Sequence, residues 1–227
     1  MEPALAGVTL DVEVLRRTIA ISDAERRALA TALSPDELAQ MRTFLRDADQ
    51  RRFLVGRATL RRAAARRLGI AAAAVPLARG AHGKPHVAGL ASSVSHAGEV
   101  VLVALATGAE VGIDVERVDE TLVSSRLDDV FSPREIDAHL ALPAALRLAS
   151  FFHIWTSKEA IVKAIATGLS LSLQAFDVAV DPRAPPALLA VRDPALAGPL
   201  SLTAIEVLTG HVATLAVCAP TCRVAYA

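Results

Sequence analysis

The sequence contains few cysteines, few aromatic residues, few lysines and no long hydrophobic run. Its two cysteines, Cys218 and Cys222, form one C-x₃-C pair without a histidine or further cysteine at metal-ligand spacing. This pattern argues against a zinc site, and we expect two inert thiols. The longest apolar runs, such as Val100 to Ala106, have the length of a strand, so no transmembrane helix is expected.

The chain also lacks an excess of charge of either sign, because 24 Lys and Arg residues balance 24 Asp and Glu residues. A neutral chain has no general attraction to nucleic acid or to a membrane surface, and we predict neither as a partner. Glu2 and Asp11 flank a short apolar stretch that makes a poor signal peptide. We therefore expect a cytoplasmic protein of one or two domains, since 227 residues provide ample material for a core.

Helical and strand patterns follow one another in an order that occurs twice. In the first half they predict a helix over 35–69 that starts at Ser34-Pro35, a loop over 79–85, and strands over 92–95, 100–106 and 111–118. In the second half they predict a helix over 151–166, strands over 176–180, 200–207 and 211–219, and a loop over 181–199. The order predicts a duplicated α+β unit, although two unrelated helix–hairpin segments would give the same pattern.

Two carboxylates lie on one face of the strand predicted over 111–118. Side chains alternate along a strand, so Gly112, Asp114 and Glu116 point one way while the valines and Ile113 between them point into a core. Carboxylates about 7 Å apart repel each other unless a positive charge sits between them. Mg²⁺ prefers such oxygen ligands. The alternative is the solvated face of an edge strand.

The second predicted helix carries Glu159 and Lys163, which share a face because they are four residues apart. An exposed ion pair is the plain interpretation, but the apolar residues around them favour partial burial. The chain has only three lysines, Lys84, Lys158 and Lys163, against 21 arginines. A lysine kept in such a chain indicates a site that needs a compact point charge, unless the placement is chance.

Two further segments carry groups that could bind phosphate. His82-Gly83-Lys84-Pro85 forms a turn with a charged tip, and Ser95-His96 places a hydroxyl beside an imidazole that can donate to a phosphate oxygen. A serine hydrolase is disfavoured because the sequence has no G-x-S-x-G elbow. Nine arginines crowd into Arg42 to Arg67, which is consistent with a nucleic-acid surface, a solvated helix face or a site for a phosphorylated small molecule.

Taken in order, these motifs resemble those of the Sfp-type 4′-phosphopantetheinyl transferases over roughly residues 42–180. The resemblance rests on five segments: Gly83-Lys84-Pro85, Ser95-His96, Gly112-Ile113-Asp114-Val115-Glu116, Trp155-Thr156-Ser157-Lys158-Glu159 with Lys163, and Gly168-Leu169-Ser170-Leu171. It implies an α+β pseudo-dimer of two similar helix-plus-antiparallel-strand halves, residues 1–107 and 108–227, with the active site between them. Because such a chain builds its site internally, we expect a monomer.

The resemblance also implies the reaction: transfer of the 4′-phosphopantetheine group of coenzyme A to a serine of an apo acyl, polyketide or peptidyl carrier protein, with Mg²⁺, releasing 3′,5′-ADP. It assigns Mg²⁺ to Asp114, Glu116 and Glu159. Glu159, Lys163 and His96 would be catalytic, with either Glu159 or a metal-bound water as general base. Coenzyme A would be held by Arg42, Arg79, Gly83, Lys84, Pro85, Ser95, His96 and Lys163. Phe53 stands where some relatives carry a polar coenzyme A contact, which a phenyl ring cannot supply. A non-catalytic, arginine-rich anion or nucleic-acid module is the alternative.

Overall fold

The computed structural model describes residues 9–80, 83–165 and 171–227, apart from the side chains of Arg79, Ser124, Ser125 and Ala195. The last motif of the resemblance, from Gly168 to Ser170, and the end of the second helix therefore lie outside the described residues, as does His82. The described elements mix helices with largely antiparallel sheets, which confirms the predicted α+β class.

The first half contains five strands, of which two form a small hairpin, and three α-helices. Its elements are β1 (Leu10–Thr18), α1 (Asp23–Ala30), α2 (Pro35–Arg42), α3 (Asp47–Leu68), β2 (Leu77–Arg79), β3 (Pro85–Val87), β4 (Ala91–Ala97) and β5 (Val100–Ala106). Ser22 and Ser34 start α1 and α2 with capping boxes. Gly69 ends α3 with a φ of 68°, a left-handed conformation that favours glycine.

The continuous helix predicted over 35–69 is wrong, because α2 and α3 are separate helices. The Thr43 hydroxyl donates to the carbonyl of Gln40 and closes α2, and the backbone of Arg46 is extended, with φ −99° and ψ 135°. Asp47 and Asp49 then fall in the first turn of α3, where negative charge is favourable. The chain thus turns at 43–46 and lays α2 against α3.

The second half repeats the order of elements and then adds a final strand. Its elements are β6 (Val111–Arg117), α4 (Val123–Val130), α5 (Pro133–Ala141), α6 (Ala144–Ile165), β7 (Phe176–Val178), β8 (Leu188–Val191), β9 (Ser201–Ala204), β10 (His211–Val217) and β11 (Cys222–Tyr226). Helix α6 begins two turns before the predicted start at residue 151. The loop predicted over 181–199 is also wrong, since β8 lies within it and pairs with β7.

The two main sheets share one topology. Their strand orders are β11-β1-β5-β4 and β6-β10-β9, and within each three-strand set the neighbours are antiparallel. Strand β11 adds to the first sheet, parallel to β1. The division of the chain at residues 107 and 108 stays a prediction, and β11, the last strand of the chain, belongs to the sheet of the first unit.

The sheets pack face to face between the two long helices. Residues of β1 and β5 meet residues of β6 and β10 in a shared apolar core, in which Val14, Leu102, Ile113 and Leu215 are buried. The outer face of the first sheet packs on α3, and that of the second sheet packs on α6. Removal of this apolar surface from water is the main stabilising term of the four-layer arrangement.

Each long helix also holds a buried ion pair in the same place. Glu37 pairs with Arg61 and Glu135 with Lys158, both at 2.6 Å, and each glutamate belongs to the capping box that starts α2 or α5. Arg61 and Lys158 are each the fifteenth residue of a 22-residue helix. Breaking one such pair costs about 3–5 kcal/mol, because it leaves an uncompensated buried charge. Lys158 therefore stabilises the fold through its buried ion pair with Glu135.

The two sheets meet edge to edge where β4 passes β6. The hydroxyl of Ser93 accepts from the amide of Ile113 at 3.1 Å, and the hydroxyl of Ser95 accepts from the amide of Val115 at 3.3 Å. Side chains of the first half thus satisfy backbone donors of the second, which fixes β4 alongside β6. Within the described parts of the chain, no helix has the length and apolar character needed to cross a membrane.

Candidate active site

Gly112 presses strand β6 directly onto helix α6. A Cβ atom at this position would fall on the carbonyl oxygen of Ala160 and the amide nitrogen of Ala164. Only glycine permits such an approach of two backbones. The predicted side-chain alternation of β6 is confirmed, but its carboxylate face is covered by α6, so the alternative of a solvated edge face does not apply to Asp114, which is 2% exposed.

Strands β4 and β6 and helix α6 meet along a seam, and Asp114 is the centre of the polar contacts there. Its Oδ1 atom accepts from the ammonium of Lys163 at 2.6 Å and from the hydroxyl of Ser95 at 2.9 Å. Its Oδ2 atom is buried and has no hydrogen-bond partner in the described structure. A buried carboxylate oxygen without a donor is costly, so Oδ2 is an open position for a cation or a proton donor.

Glu116 and Glu159 lie half-buried near Asp114. Burial and the negative charge of Asp114 raise the pKa of Glu116 to about 7, and the charge of Glu159 adds to this. Burial and the charge of Asp114 also raise the pKa of Glu159. The two strand carboxylates and the helix carboxylate are therefore close enough to oppose one another's ionisation.

Lys163 pairs with Asp114 of β6 and also donates to Ser95 of β4 at 3.2 Å, so one ammonium links α6 to both strands. Among the described contacts, none pairs it with Glu159, its neighbour on the same helix face. His96 is the exposed residue that follows Ser95. Partial removal from water lowers the pKa of the His96 imidazole, and the positive charges of Arg52 and Lys163 lower it further.

Lys84 sits elsewhere on the seam and is occupied by protein oxygens. Its ammonium donates to the carboxylate of Glu110 at 3.0 Å and to the carbonyls of Val111 at 3.1 Å and Lys163 at 2.8 Å. The last of these carbonyls lies near the C-terminal end of α6, where a positive charge is favourable. In this conformation Lys84 fastens the β2–β3 turn, which contains Gly83 and Pro85, to the second half.

The arginines that the resemblance assigns to coenzyme A are less defined. Arg42 is exposed in the last turn of α2, and no described hydrogen bond or ion pair joins it to the residues around Asp114. Arg79 pairs through its backbone with Pro85 at the end of β2, and its side chain lies outside the described structure. Phe53 packs on the ring of Phe44, with centroids 5.5 Å apart, and lies under the guanidinium of Arg57.

Two residues at the seam were not predicted from the sequence. Ser93 anchors β4 on β6, and its position two residues before Ser95, on the same strand face, was the signal that could have revealed it. Arg126 of α4 lies over the ring of Trp155 at 5.7 Å, and its positive charge works to lower the pKa of Glu116 and of Glu159. Nothing in the local sequence of α4 marks this arginine, because its relation to the carboxylates arises from tertiary packing.

A hard divalent cation fits the chemistry of these residues, although its coordination sphere is not formed. In the described part of the chain, no three acidic, histidine or cysteine side chains stand in positions to bind one metal ion together. The side chains of Asp114, Glu116 and Glu159 nevertheless all offer carboxylate oxygens, which Mg²⁺ prefers. The buried Oδ2 atom of Asp114 has no hydrogen-bond partner in the described structure and is therefore available to a cation. A seam with three carboxylates, one ammonium and one imidazole is suited to phosphate chemistry assisted by a metal ion.

Comparison with known proteins places both halves in one family. The family described as 4′-phosphopantetheinyl transferase superfamily matches residues 110–216, and 4′-phosphopantetheinyl transferase, N-terminal matches residues 21–108. The 4′-phosphopantetheinyl transferase HetI of a Nostoc species is 31% identical over 81% of this chain and 80% of its own length. A 4′-phosphopantetheinyl transferase of Bacillus subtilis is 29% identical, and 4′-phosphopantetheinyl transferase Sfp of Bacillus subtilis strain 168 is 27% identical, each over 70% of this chain and 71% of the relative.

The chain belongs to the 4′-phosphopantetheinyl transferase superfamily. The similarity to Sfp-type relatives predicted from the motifs is thereby confirmed, and so is the predicted enzyme class. Its reaction is the transfer of the 4′-phosphopantetheine group of coenzyme A to a serine of a carrier protein.

Proposed function

We propose that the transfer takes place at the seam of β4, β6 and α6, and that Asp114, Glu116 and Glu159 hold Mg²⁺ there. The observation that carries the proposal is the unpartnered, buried Oδ2 atom of Asp114 beside two carboxylates whose pKa values are raised. Three carboxylates forced together without a cation destabilise one another, so a bound divalent cation would relieve the repulsion. When bound, Mg²⁺ would neutralise the negative charge of the pyrophosphate of coenzyme A.

Lys163 and His96 contact the phosphates in this proposal. Lys163 already spans α6 and both strands, so its ammonium is positioned by Asp114 and Ser95 before a substrate arrives. His96 stands exposed next to Ser95 and can donate a hydrogen bond to a phosphate oxygen. Such preorganised donors stabilise charge that develops on the transferred group without reorganising during the reaction.

Glu159 is the general base of this proposal. The carrier serine oxygen forms a bond to the β-phosphorus of coenzyme A, and the bond from that phosphorus to the bridging oxygen breaks. The leaving group is 3′,5′-ADP, and the serine proton passes to the Glu159 carboxylate. The half-buried Glu159 stands beside Asp114 on the helix that faces β6, which would place its carboxylate near the incoming serine.

The adenosine 3′-phosphate end of coenzyme A is assigned to Arg42, Arg79 and the turn from Gly83 to Pro85. The ammonium of Lys84 would bind this phosphate by exchanging the carboxylate of Glu110, whose side chain is 55% exposed, for a phosphate oxygen. Its two backbone acceptors would be retained. We further propose that the enzyme works as a monomer on acyl, polyketide or peptidyl carriers, because residues of both halves of one chain build the seam.

A nucleic-acid module based on the arginines of α3 receives less support. Arg51, Arg52, Arg61 and Arg67 each pair with a carboxylate of the same chain, which leaves little uncompensated charge along the helix. Binding of a phosphate backbone depends on such uncompensated cations. The carboxylates of the seam would also repel a nucleic acid.

Asp114→Asn tests the proposed site. The amide keeps the size of the side chain but removes its charge, so we expect transfer to fall by at least about a hundredfold. The measurement is the mass of an apo carrier protein incubated with coenzyme A and Mg²⁺, which rises by one phosphopantetheine group on transfer. Asp129→Asn, at an exposed position of α4, is the control and should transfer at the wild-type rate. Wild-type transfer by a folded Asp114→Asn enzyme would refute the metal assignment.

A further inference from the structure

A second cavity lies on the first half of the molecule, away from the seam. It has a volume of about 330 Å³ and lies between β1, α1 and α3. Its charged lining residues are Arg17, Arg62, Arg66 and Glu25. The proposed reaction uses none of these four side chains.

The cavity occupies the position in the first half that the candidate active site occupies in the second. Arg62 and Glu159 are each the sixteenth residue of their 22-residue helices, and Arg66 and Lys163 are each the twentieth. Arg62 and Arg66 line the cavity just as Glu159 and Lys163 face the seam. The two helices therefore present the same face, with arginine in place of glutamate.

The strands beside these helices correspond in the same way. Thr18 and Arg117 end β1 and β6 opposite the first residues of β5 and β10. Counting back from these two ends, Leu15 takes the place of Asp114, and Arg17 takes the place of Glu116. Leu15 and Arg17 both line the cavity. In the first half, arginine therefore stands at two of the three positions that carry carboxylates in the second half, and an apolar residue stands at the third.

The three arginines keep donors available towards the cavity. In the described structure, Arg62 uses Nη2 to donate to the carbonyl of Ala28, and Arg66 uses Nη2 to reach Glu13. Arg17 uses Nη1 for backbone carbonyls. A guanidinium carries five N–H donors, so each arginine has several left for a ligand.

The one acidic lining residue is held away from a ligand. The carboxylate of Glu25 accepts from the amide and the hydroxyl of Ser22, both at 2.7 Å, in the capping box of α1. These hydrogen bonds lower the pKa of Glu25 and keep it ionised. Arg66 is also paired with Glu13, at 2.6 Å, so the three arginines face two carboxylates and a net positive charge of about one remains, which favours an anion in the cavity.

We propose that this cavity binds a phosphate monoester of a small organic molecule. Arginine matches the geometry of phosphate, since its planar fork donates to two oxygens at once. The remaining wall is apolar and includes Ile21, Leu29 and Val55, which would contact the organic part. The cavity is thus an anion site on the scaffold of the catalytic one, and its assignment does not depend on the proposed metal residues.

Calorimetric titration with phenyl phosphate and with inorganic phosphate tests the assignment. We expect phenyl phosphate to bind more tightly, because only it reaches the apolar wall. The double variant Arg62→Gln/Arg66→Gln should weaken its binding by at least about tenfold, since it removes two charged donors to the phosphate. Both arginines are exposed, so the variant should fold, and circular dichroism checks this.

Two matched variants locate the ligand. Arg67→Gln removes a neighbouring arginine that shares Glu13 with Arg66 but does not line the cavity, and it should bind phenyl phosphate as the wild type does. Lys163→Gln alters the proposed catalytic site and should also leave this binding unchanged. Loss of binding in Lys163→Gln, undiminished binding in the double variant, or equal affinities for the two phosphates would overturn the proposal.

Discussion

Lys163 makes its contacts through a compact ammonium placed between Asp114 Oδ1 at 2.6 Å and Ser95 Oγ at 3.2 Å. The three lysines of this arginine-rich chain all occupy places where a point charge meets several oxygens. Lys158 donates to the carbonyls of Leu173 and Phe176 besides its ion pair, and Lys84 reaches two carbonyls. The scarcity of lysine therefore marks packing constraints as well as the candidate site.

Lys163→Arg should lower the kcat/KM of transfer by at least about tenfold. A guanidinium is broader than an ammonium and cannot enter the space between a buried carboxylate and a hydroxyl without displacing β4 or β6. The control is Arg66→Lys, the reverse exchange at the equivalent position of α3, which should change kcat/KM by less than about twofold. Steady-state kinetics with a carrier protein measures both. Wild-type kinetics in Lys163→Arg would show that the shape of this cation is unimportant.

At the residue scale, periodicity predicted which carboxylates face together but not what they contact. Asp114 and Glu116 alternate with valines, so their common face follows from the strand period alone. The pairing of Lys163 with Asp114 rather than with Glu159 depends on how closely α6 approaches β6. Because Gly112 sets that distance across about 50 residues of sequence, no local pattern contains it.

At the element scale, the contact of β6 with α6 depends on the absence of a side chain at Gly112. Gly112→Ala would force a methyl group into the backbone of α6, so we expect a loss of more than about 3 kcal/mol of unfolding free energy. Urea denaturation measures this loss.

Gly56→Ala is the matched control, because the added Cβ would meet side-chain methyl groups, of Val94 at 3.2 Å and of Val101 at 3.5 Å, and no backbone atom. Its side-chain neighbours can yield, so we expect a change within about 1 kcal/mol. Equal stabilities of the two variants would mean that β6 and α6 can separate without cost.

The elements that sequence patterns missed are those whose strand character comes from their neighbours. Strands β5, β6 and β10 are continuous apolar or alternating runs, and their predicted positions agree with the structure within two residues. Strand β8 is short and half of its residues are exposed, and its strand character comes from pairing with β7, where Val191 faces Phe176. Helices α2 and α3 were joined in the prediction because Thr43 to Arg46 lacks the Gly or Pro that usually marks a break.

A polar cluster joins α5, β7 and β8, and it should give the protein a measurable dependence on pH. Hydrogen bonds from Arg192, followed by one from Ser132, lower the pKa of the buried Asp177 to about 2. Because the folded-state pKa is below the unfolded value, the stabilisation is present above about pH 4 and disappears as the pH falls towards 2. Asp177→Asn should cost about 2 kcal/mol at pH 7 and roughly half of that at pH 3, by urea denaturation.

Asp181→Asn is the control for this pH dependence. The hydrogen bond from Arg183 also lowers the pKa of Asp181 to about 2, but this pair lies at the surface. Water and salt screen such a pair, so we expect little change in stability at either pH. A pH-independent effect of Asp177→Asn would show that the cluster acts through packing and not through charge.

At the scale of the whole molecule, the duplication is clearer in the ion pairs than in the sequence. Glu37 with Arg61 and Glu135 with Lys158 connect equivalent helices by different cations, which identity between the halves does not reveal. The repeat was predicted from the order of elements alone. The cavity of the first half and the candidate site of the second carry different charges, and only the structure reveals this difference. It becomes visible once α3 is aligned with α6 and β1 with β6.

The hydrogen bond from Ser95 to Asp114 joins the two halves at the candidate site and has a genetic consequence. In an enzyme assembled from separate subunits, a defect on one side of a site can be rescued by a partner that carries the other side intact. Here both sides belong to one polypeptide, so an equimolar mixture of Ser95→Val and Asp114→Asn should show only the summed residual activities of its parts. Recovery of transfer on mixing would reveal exchange of halves between chains. Without such exchange, the two defects would fail to complement each other in a cell that carries both alleles.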